Sequence, residues 1–158
     1  DVEIFLLEKT SNLEYSPCAL PYVLSEEIKS FEDIFIFDKR DYEENNINLF
    51  LNSEVKKIDA KNKKVILEEK EVNFDKLVIA NGGSAFVPKI KGLENSGYKI
   101  FKTIEDAKEI LENVELKNNS VVIGAGMIGV ELAVSLSDMG NKVSLLESKE
   151  NIIPSLLD

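Results

Sequence analysis

The chain has 158 residues, 44% of them hydrophobic and 30% charged, which is typical of a soluble globular protein, and it has neither a basic signal-peptide start nor an apolar run long enough to span a membrane. Its net charge of −10 disfavours nucleic acid and anionic lipid as partners, and the acids, scattered among bases, predict a solvated surface. With no histidine and one cysteine, the sequence excludes histidine-based triads, histidine metal sites, internal disulfides and cysteine-rich zinc sites, and it fits a reducing, cytoplasmic setting.

The first part of the chain predicts a buried strand followed by a small antiparallel meander. Residues 2–9 (VEIFLLEK) are mostly apolar with β-branched and aromatic members, which predicts the buried strand. Residues 33–37 (DIFIF) fit either a short strand or a loop. Four strand candidates then follow, and the AKNKK turn between two of them indicates a meander; the candidates are residues 48–51, 54–59, 63–69 and 76–80.

The second part predicts an alternation of helices and strands. Residues 83–99 are loop-like, and we place a domain boundary near residue 98, giving domains 1–97 and 98–158. Residues 103–116 have apolar side chains at helical spacing, with Thr103 as N-cap and Asp106 three positions later, close to a capping box. A strand, a helix over residues 127–139 (MIGVELAVSLSDM) and a second strand follow.

A glycine-rich turn lies between that strand and helix. The sequence GAGMIG has the GxGxxG pattern, with the buried strand Val121–Ile123 before it, the helix Val130–Met139 after it and the strand Lys142–Leu146 next. Its positions are Gly124, Gly126, Met127, Ile128 and Gly129. The first glycine permits the tight turn, the second lets a pyrophosphate approach the backbone, and the third lets the helix pack on the strand.

Glu147 follows the turn by about 20 residues, as expected for an acid that accepts hydrogen bonds from the adenosine ribose. Its charge would repel a 2′-phosphate, so NADH is favoured, while the neighbouring Lys149 leaves NADPH open. A glycine turn without a ligand is the alternative, but such a turn has no need of Glu147. The sequence therefore predicts a dinucleotide site.

Cys18 lies in the segment YSPCALPY. Ser16 is a suitable helix N-cap and Pro17 a suitable first helical residue, which places Cys18 in the first helical turn. Free N–H groups and the positive helix end would favour the thiolate form. Pro21 limits or kinks this helix. From these residues alone, a buried inert cysteine is an equal alternative.

Taken in order, SPCALPYVLS, KLVIANGG, VVIGAGMIGVELAVSLSDMG and KVSLLES resemble the pyridine nucleotide–disulfide oxidoreductase family. The similarity is greatest to its single-cysteine branch, which holds coenzyme A-disulfide reductase, NADH oxidase and NADH peroxidase. It implies an α/β fold of two incomplete Rossmann-like three-layer (β/β/α) domains with a small meander. The first is an FAD domain without its first strand and GxGxxG turn, and the second is the first half of an NAD(P)H domain.

The resemblance also implies the roles of individual residues. Cys18 matches the redox cysteine beside the flavin, and Glu131 matches an acid near the nicotinamide and flavin. Glu8 would bind the adenosine ribose of FAD and Val55 would lie near the adenine. The implied FAD-binding positions are Glu8, Lys9, Ser16, Pro17, Val55, Ala80, Asn81 and Gly82, and Met127 stands where many relatives place a gating aromatic residue.

Departures from the family pattern narrow the mechanism. Disulfide reductases of the family have a second cysteine five positions after the first, where this chain has Val23. Cys18 must therefore cycle through a sulfenic acid or a mixed disulfide. Relatives usually have Thr in place of Asn81 and often Gly in place of Glu26. We expect the isolated 158 residues to be inactive or nearly so, because the FAD pyrophosphate turn is missing.

The implied activity of the parent protein, expected to be a homodimer, is transfer of a hydride from NADH to FAD and then of electrons to Cys18. The oxidant would be coenzyme A disulfide, oxygen, peroxide or polysulfide. Two alternatives remain: a flavin-dependent electron-transfer reductase that does not use the cysteine, and a non-catalytic nucleotide-binding module.

Overall fold

Two pairs of parallel strands organise the part of the chain that the computed structural model describes, residues 2–114 and 118–153. One unit contains residues 2–15 and 35–84, and the other contains residues 16–34 and the described residues from 85 onward. Parallel and antiparallel sheets occur with helices, so the α/β class is confirmed. The predicted domain boundary near residue 98 stays a prediction.

In chain order the elements are β1 (Ile4–Leu7), α1 (Leu20–Leu24), α2 (Lys39–Glu44), β2 (Ile47–Phe50), β3 (Lys57–Asp59), β4 (Lys64–Ile66), β5 (Glu71–Asn73), α3 (Ile104–Asn113), β6 (Asn119–Ile123), α4 (Met127–Asp138) and β7 (Lys142–Leu146). Three short 3₁₀ helices lie at Pro17–Ala19, Phe31–Ile34 and Leu93–Asn95. Residues 33–37, predicted as a strand or a loop, thus contribute to a 3₁₀ helix and to an isolated bridge between Phe35 and Tyr15.

In the first unit, β1 pairs in parallel with β2 and Ile4 lies opposite Ile47. The predicted strand therefore exists, but its predicted burial is wrong, since Ile4, Phe5 and Leu6 are about 40% exposed. Among the described residues β1 pairs with β2 alone, and no helix packs on it closely enough to cover both of its faces. Phe5 stacks on Phe50 of β2, whose ring also contacts the Lys70 ammonium.

The meander is present, with β3, β4 and β5 in antiparallel order, but two details of its prediction are wrong. β5 was not predicted, and the predicted strand at residues 76–80 is not formed. Val78 and Ile79 in that segment are 84% and 67% exposed. An apolar run forms a strand only where a partner pairs with its backbone, and none of the described residues does so.

In the second unit, α1 packs against α3 and α4, and the fully buried Leu20 and Leu24 supply its share of the core. α3 begins at Thr103 with the predicted capping box, since the Thr103 hydroxyl and the Asp106 carboxylate bond reciprocally to backbone N–H groups. Residues 115–116 of the predicted helix lie outside the described residues. β6 and β7 pair in parallel. Of the predicted buried residues 121–123 only Val122 is buried, because β6 has one strand partner among the described residues.

Glu26 adopts a left-handed backbone conformation just after α1. Its φ is +62°, and its N–H donates to the Val23 carbonyl as the helix ends. This is the position after a helix at which glycine is usual, because a Cβ there is strained. The glycine that the family resemblance leads us to expect at this position would thus relieve a strained backbone conformation.

Replacing Glu26 by glycine is expected to raise the free energy of unfolding by about 0.5–1 kcal/mol, because relief of the left-handed strain exceeds the extra entropy of the unfolded chain. Denaturant unfolding of the full-length protein measures the change. Glu26→Ala removes the same charge but keeps a Cβ, so it should give no such gain. Equal stabilisation by both variants would show that charge, and not backbone strain, is responsible.

Candidate functional site

The glycine-rich turn connects β6 to α4, and each glycine has a separate geometric reason. Gly124 has φ of +101°, a conformation that favours glycine, and its N–H donates to the Leu146 carbonyl. A Cβ on Gly129 would lie 1.9 Å from the Gly124 carbonyl oxygen, so α4 approaches the turn only with glycine there. Around Gly126 nothing lies within 4 Å of a Cβ position, which leaves the space that a ligand phosphate requires.

The N-terminus of α4 has no capping side chain. Gly126 is the N-cap, no side chain in the described part of the chain caps the first turn, and that turn holds no acid. By contrast, α2 and α3 both begin with complete capping boxes. The first N–H groups of α4 have no partners within the helix and lie at its positive end, next to the exposed Met127 and Ile128. These features fit the pyrophosphate of a dinucleotide.

Glu147 follows β7 directly and bonds to the glycine turn. Its Oε2 accepts the N–H of the fully buried Ala125 at 2.9 Å. Its Oε1 accepts from the Ser148 N–H at 2.7 Å, the Ser148 hydroxyl at 3.1 Å and the Lys149 N–H at 3.0 Å. These donors, led by Ala125 and Lys149, lower the pKa of Glu147 to about 2. The carboxylate is therefore ionised at every physiological pH and anchors the turn.

The lowered pKa predicts a pH dependence. Because the pKa of Glu147 lies below its unfolded value of 4.5, its contribution to stability is present above pH 4.5 and is lost as pH falls toward 2. We expect the amide proton shift of Ala125 to titrate with a midpoint near 2, measured by NMR. In Glu147→Gln, the control, this step should vanish. A midpoint above pH 4 would contradict the hydrogen bonds seen here.

In the first unit, the acid that follows β1 is held by nearby donors, as Glu147 is after β7. Glu8 follows β1, and its Oε1 accepts from the Thr10 N–H at 2.8 Å and from the Thr10 hydroxyl at 2.9 Å. Its backbone is held by bonds to Phe50 and Ser53. The predicted FAD positions in this unit are Glu8, Lys9, Val55, Ala80, Asn81 and Gly82. All but Glu8 are exposed, residues 80–82 lie outside any strand, and Gly82 has φ of +65°.

Cys18 is exposed and lies in the 3₁₀ turn Pro17–Ala19, which continues into α1. The predicted helical turn thus exists in 3₁₀ form, and the alternative of a buried cysteine is wrong. Ser16 occupies the N-cap position as predicted, but its side chain makes no capping bond. Pro21 lies in the first turn of α1, where it neither kinks nor breaks the helix.

Glu131 lies on α4, the helix against which α1 packs within this unit. It is half-buried, and its backbone carbonyl accepts a hydrogen bond from the Ser135 hydroxyl. The structure thus brings the glycine turn and Glu147 together, and it places Cys18 and Glu131 on packed neighbouring segments. The sequence did not identify Thr10 and Ser148, although a hydroxyl within two residues of an acid that ends a strand is a usable signal.

No cluster of three or more cysteine, aspartate or glutamate side chains within residues 2–114 and 118–153 is suited to hold a metal ion. No helix in that part of the chain has the length and apolar character required to cross a membrane.

Known proteins resemble the chain along its whole length. An NADH oxidase of Methanocaldococcus jannaschii is 38% identical over 166 residues, covering 100% of this chain and 37% of that protein. The assimilatory nitrate reductase electron transfer subunit of Bacillus subtilis is 32% identical, covering 99% of this chain and 20% of that protein. The crystal structure of an NAD-dependent persulfide reductase from A. fulgidus superposes with a TM-score of 0.88 at 28% identity, covering 100% of this chain and 31% of that one.

The chain therefore spans roughly a third of the oxidase and of the persulfide reductase, and a fifth of the nitrate reductase subunit. The family described as pyridine nucleotide-disulphide oxidoreductase matches residues 1–158. This match confirms the predicted oxidoreductase class, and with the NADH-named relatives it supports FAD and NADH as cofactors. The chain belongs to the pyridine nucleotide-disulphide oxidoreductase family.

Proposed function

We propose that the whole protein is an NADH oxidoreductase in which FAD connects NADH to Cys18, and that Cys18 reduces a small-molecule oxidant. The observation that carries this proposal is the glycine turn with its free α4 N-terminus and Glu147 beside it. These features suit a dinucleotide that carries a free ribose. Cys18 adds an accessible sulfur in the same unit.

The NADH half of the proposal assigns separate tasks to the residues of the turn. The N–H groups at the start of α4 bind the pyrophosphate, and the space at Gly126 admits it. The Glu147 carboxylate accepts a hydrogen bond from the ribose 2′-hydroxyl and repels a 2′-phosphate, which favours NADH over NADPH. Glu131, half-buried on α4, is proposed to lie near the nicotinamide.

The cysteine half rests on the exposure of Cys18. Its thiolate attacks one sulfur of a disulfide, a new S–S bond forms, and the other sulfur leaves as a thiolate. With peroxide it attacks an oxygen and becomes a sulfenic acid while hydroxide leaves. Val23 stands where a second cysteine would resolve these products, so none of these 158 residues can do so. FAD, when bound, supplies the two electrons from NADH that restore the thiolate.

Several features of the whole protein follow from the family resemblance and are part of the same proposal. The oxidant is coenzyme A disulfide, oxygen, peroxide or polysulfide, and a parallel assay of the four compounds would identify it. The protein is proposed to be a cytoplasmic homodimer. Sedimentation of the full-length protein measures the oligomeric state.

The experiment that tests the proposal is a visible absorption spectrum of the purified full-length protein before and after anaerobic addition of NADH. We expect flavin bands that bleach with NADH and return when the oxidant is added. The bleaching should be slower with NADPH, because Glu147 opposes its phosphate. A colourless protein would overturn the proposal and favour a non-catalytic binding module.

A second candidate is an electron-transfer reductase that leaves Cys18 idle. It is favoured by the similarity to the nitrate reductase electron transfer subunit, which covers 99% of this chain. Alkylation of the exposed Cys18 with iodoacetamide separates the two functions. Loss of oxidant reduction supports the cysteine mechanism, whereas full NADH-driven reduction of an artificial electron acceptor and of the oxidant supports the second candidate.

A further inference from the structure

Thr10 donates its hydroxyl to the acid that ends β1. The Thr10 hydroxyl lies 2.9 Å from Glu8 Oε1, and the Thr10 N–H donates to the same oxygen. The hydroxyl oxygen in turn accepts the Asn12 N–H at 3.3 Å, which directs its proton to Glu8. Both Thr10 donors therefore act on the same oxygen, Oε1 of Glu8.

Ser148 does the same for the acid that ends β7. Its hydroxyl and N–H both donate to Glu147 Oε1, which also accepts the Lys149 N–H. An oxygen with two lone pairs is saturated by these three donors. Among residues 2–114 and 118–153, only the Ala125 N–H donates to Oε2, which leaves one lone pair of that oxygen available.

The two arrangements share a local sequence. Each acid follows a Leu-Leu pair at the end of a parallel strand, Leu6-Leu7-Glu8 and Leu145-Leu146-Glu147, and each is followed within two residues by the hydroxyl that binds it. In both, local donors concentrate on one carboxylate oxygen and leave acceptor capacity on the other. An ionised carboxylate accepts hydrogen bonds but donates none, so it binds a hydroxyl group and repels a phosphate.

We propose that Thr10 and Ser148 are positioning residues that hold Oε1 of Glu8 and of Glu147, so that Oε2 is presented to the 2′-hydroxyl of an adenosine ribose, of FAD at Glu8 and of NADH at Glu147. This inference rests on the proposed function. Neither hydroxyl contacts the reacting atoms. Each acts by keeping an otherwise mobile glutamate in one orientation before the ligand arrives.

Ser148→Ala in the full-length FAD-bound protein tests the proposed role of Ser148 at Glu147. We expect the Kd for NADH to rise about fivefold, as for loss of one hydrogen bond to a partly exposed charge, with kcat unchanged. Ser148→Thr should restore the Kd. With the 2′-deoxyadenosine analogue of NADH the effect of Ser148→Ala should fall to about twofold or less, because the hydroxyl that Oε2 binds is absent.

The NADH titrations distinguish failure of the positioning role from failure of the proposed function. Equal losses with NADH and the deoxy analogue, or no loss with either, would overturn the positioning role while the proposed function stands. A wild-type protein that binds no NADH would overturn both.

Thr10→Val tests the proposed role of Thr10 at Glu8, because valine keeps the β-branched shape and removes the hydroxyl. Binding of FAD to the full-length apoprotein should weaken about fivefold, and Thr10→Ser should restore it. The melting temperatures of the wild-type and variant apoproteins show whether the fold is intact. Unchanged FAD affinity in Thr10→Val, or failure of Thr10→Ser to restore a loss, would overturn the role of Thr10.

Discussion

Replacing Gly129 by alanine is expected to lower the free energy of unfolding by about 3 kcal/mol, at the upper end of the usual cost of overpacking. The added Cβ would lie 1.9 Å from the Gly124 carbonyl oxygen, which is a backbone atom and cannot rotate away. Gly124 is itself fixed by its φ of +101° and by its bond to the Leu146 carbonyl. The N-terminus of α4 must therefore move away from β6, and the NADH site is expected to be lost with it.

Denaturant unfolding of the full-length protein, together with NADH titration, measures both consequences. Gly126→Ala is the matched control, since nothing lies within 4 Å of its Cβ and its φ of −72° suits alanine. This variant should keep its stability and lose NADH affinity, because the methyl group takes the space of the phosphate. Gly83→Ala, which also has an open Cβ position, should change neither property. A Gly129→Ala protein with unchanged stability would show that the N-terminus of α4 can move away from β6 at little cost.

Replacing Cys18 by serine is expected to lower NADH-dependent reduction of the oxidant by about a thousandfold, because a serine hydroxyl is a poor nucleophile and forms no disulfide or sulfenic acid. Bleaching of the flavin by NADH should remain at the wild-type rate, since Glu147 and the glycine turn are unchanged. The two half-reactions, followed separately by stopped-flow absorbance, distinguish a lost redox carrier from a misfolded protein.

Ser25→Ala serves as the control for this variant. It removes an exposed hydroxyl near the end of α1 that bonds to the Tyr22 carbonyl and to Glu27, so it should leave both half-reactions intact. Oxidant reduction by Cys18→Ser at the wild-type rate would exclude the cysteine mechanism. The electron-transfer function would then be the better account of the protein.

Local patterns were sufficient to predict the second unit. The GxGxxG turn, α4 and the capping box at Thr103 and Asp106 depend on contacts between residues close in the chain. Such contacts are fixed by residue type and spacing, so the sequence predicts them. The segment MIGVELAVSLSDM, residues 127–139, was predicted as a helix, and α4 extends from Met127 to Asp138.

Long-range pairing accounts for the errors. The run at residues 76–80 has strand-forming residues, but a strand also requires a partner, and composition does not record which partner is available. The exposure of β1 and of two residues of β6 has the same origin, since burial depends on what packs against an element.

The sequence by itself determined the family, the α/β class, the glycine-rich turn and the position of a single cysteine in a helical turn, whereas the exposure of that cysteine was decided by the structure. Only the tertiary structure revealed how Glu147 is used, because its bond to Ala125 joins residues 22 positions apart. Only the structure, likewise, revealed the hydroxyl donors Thr10 and Ser148 and the left-handed backbone of Glu26. The direction of a side chain and the sign of φ follow from the surrounding packing, which a residue pattern does not specify.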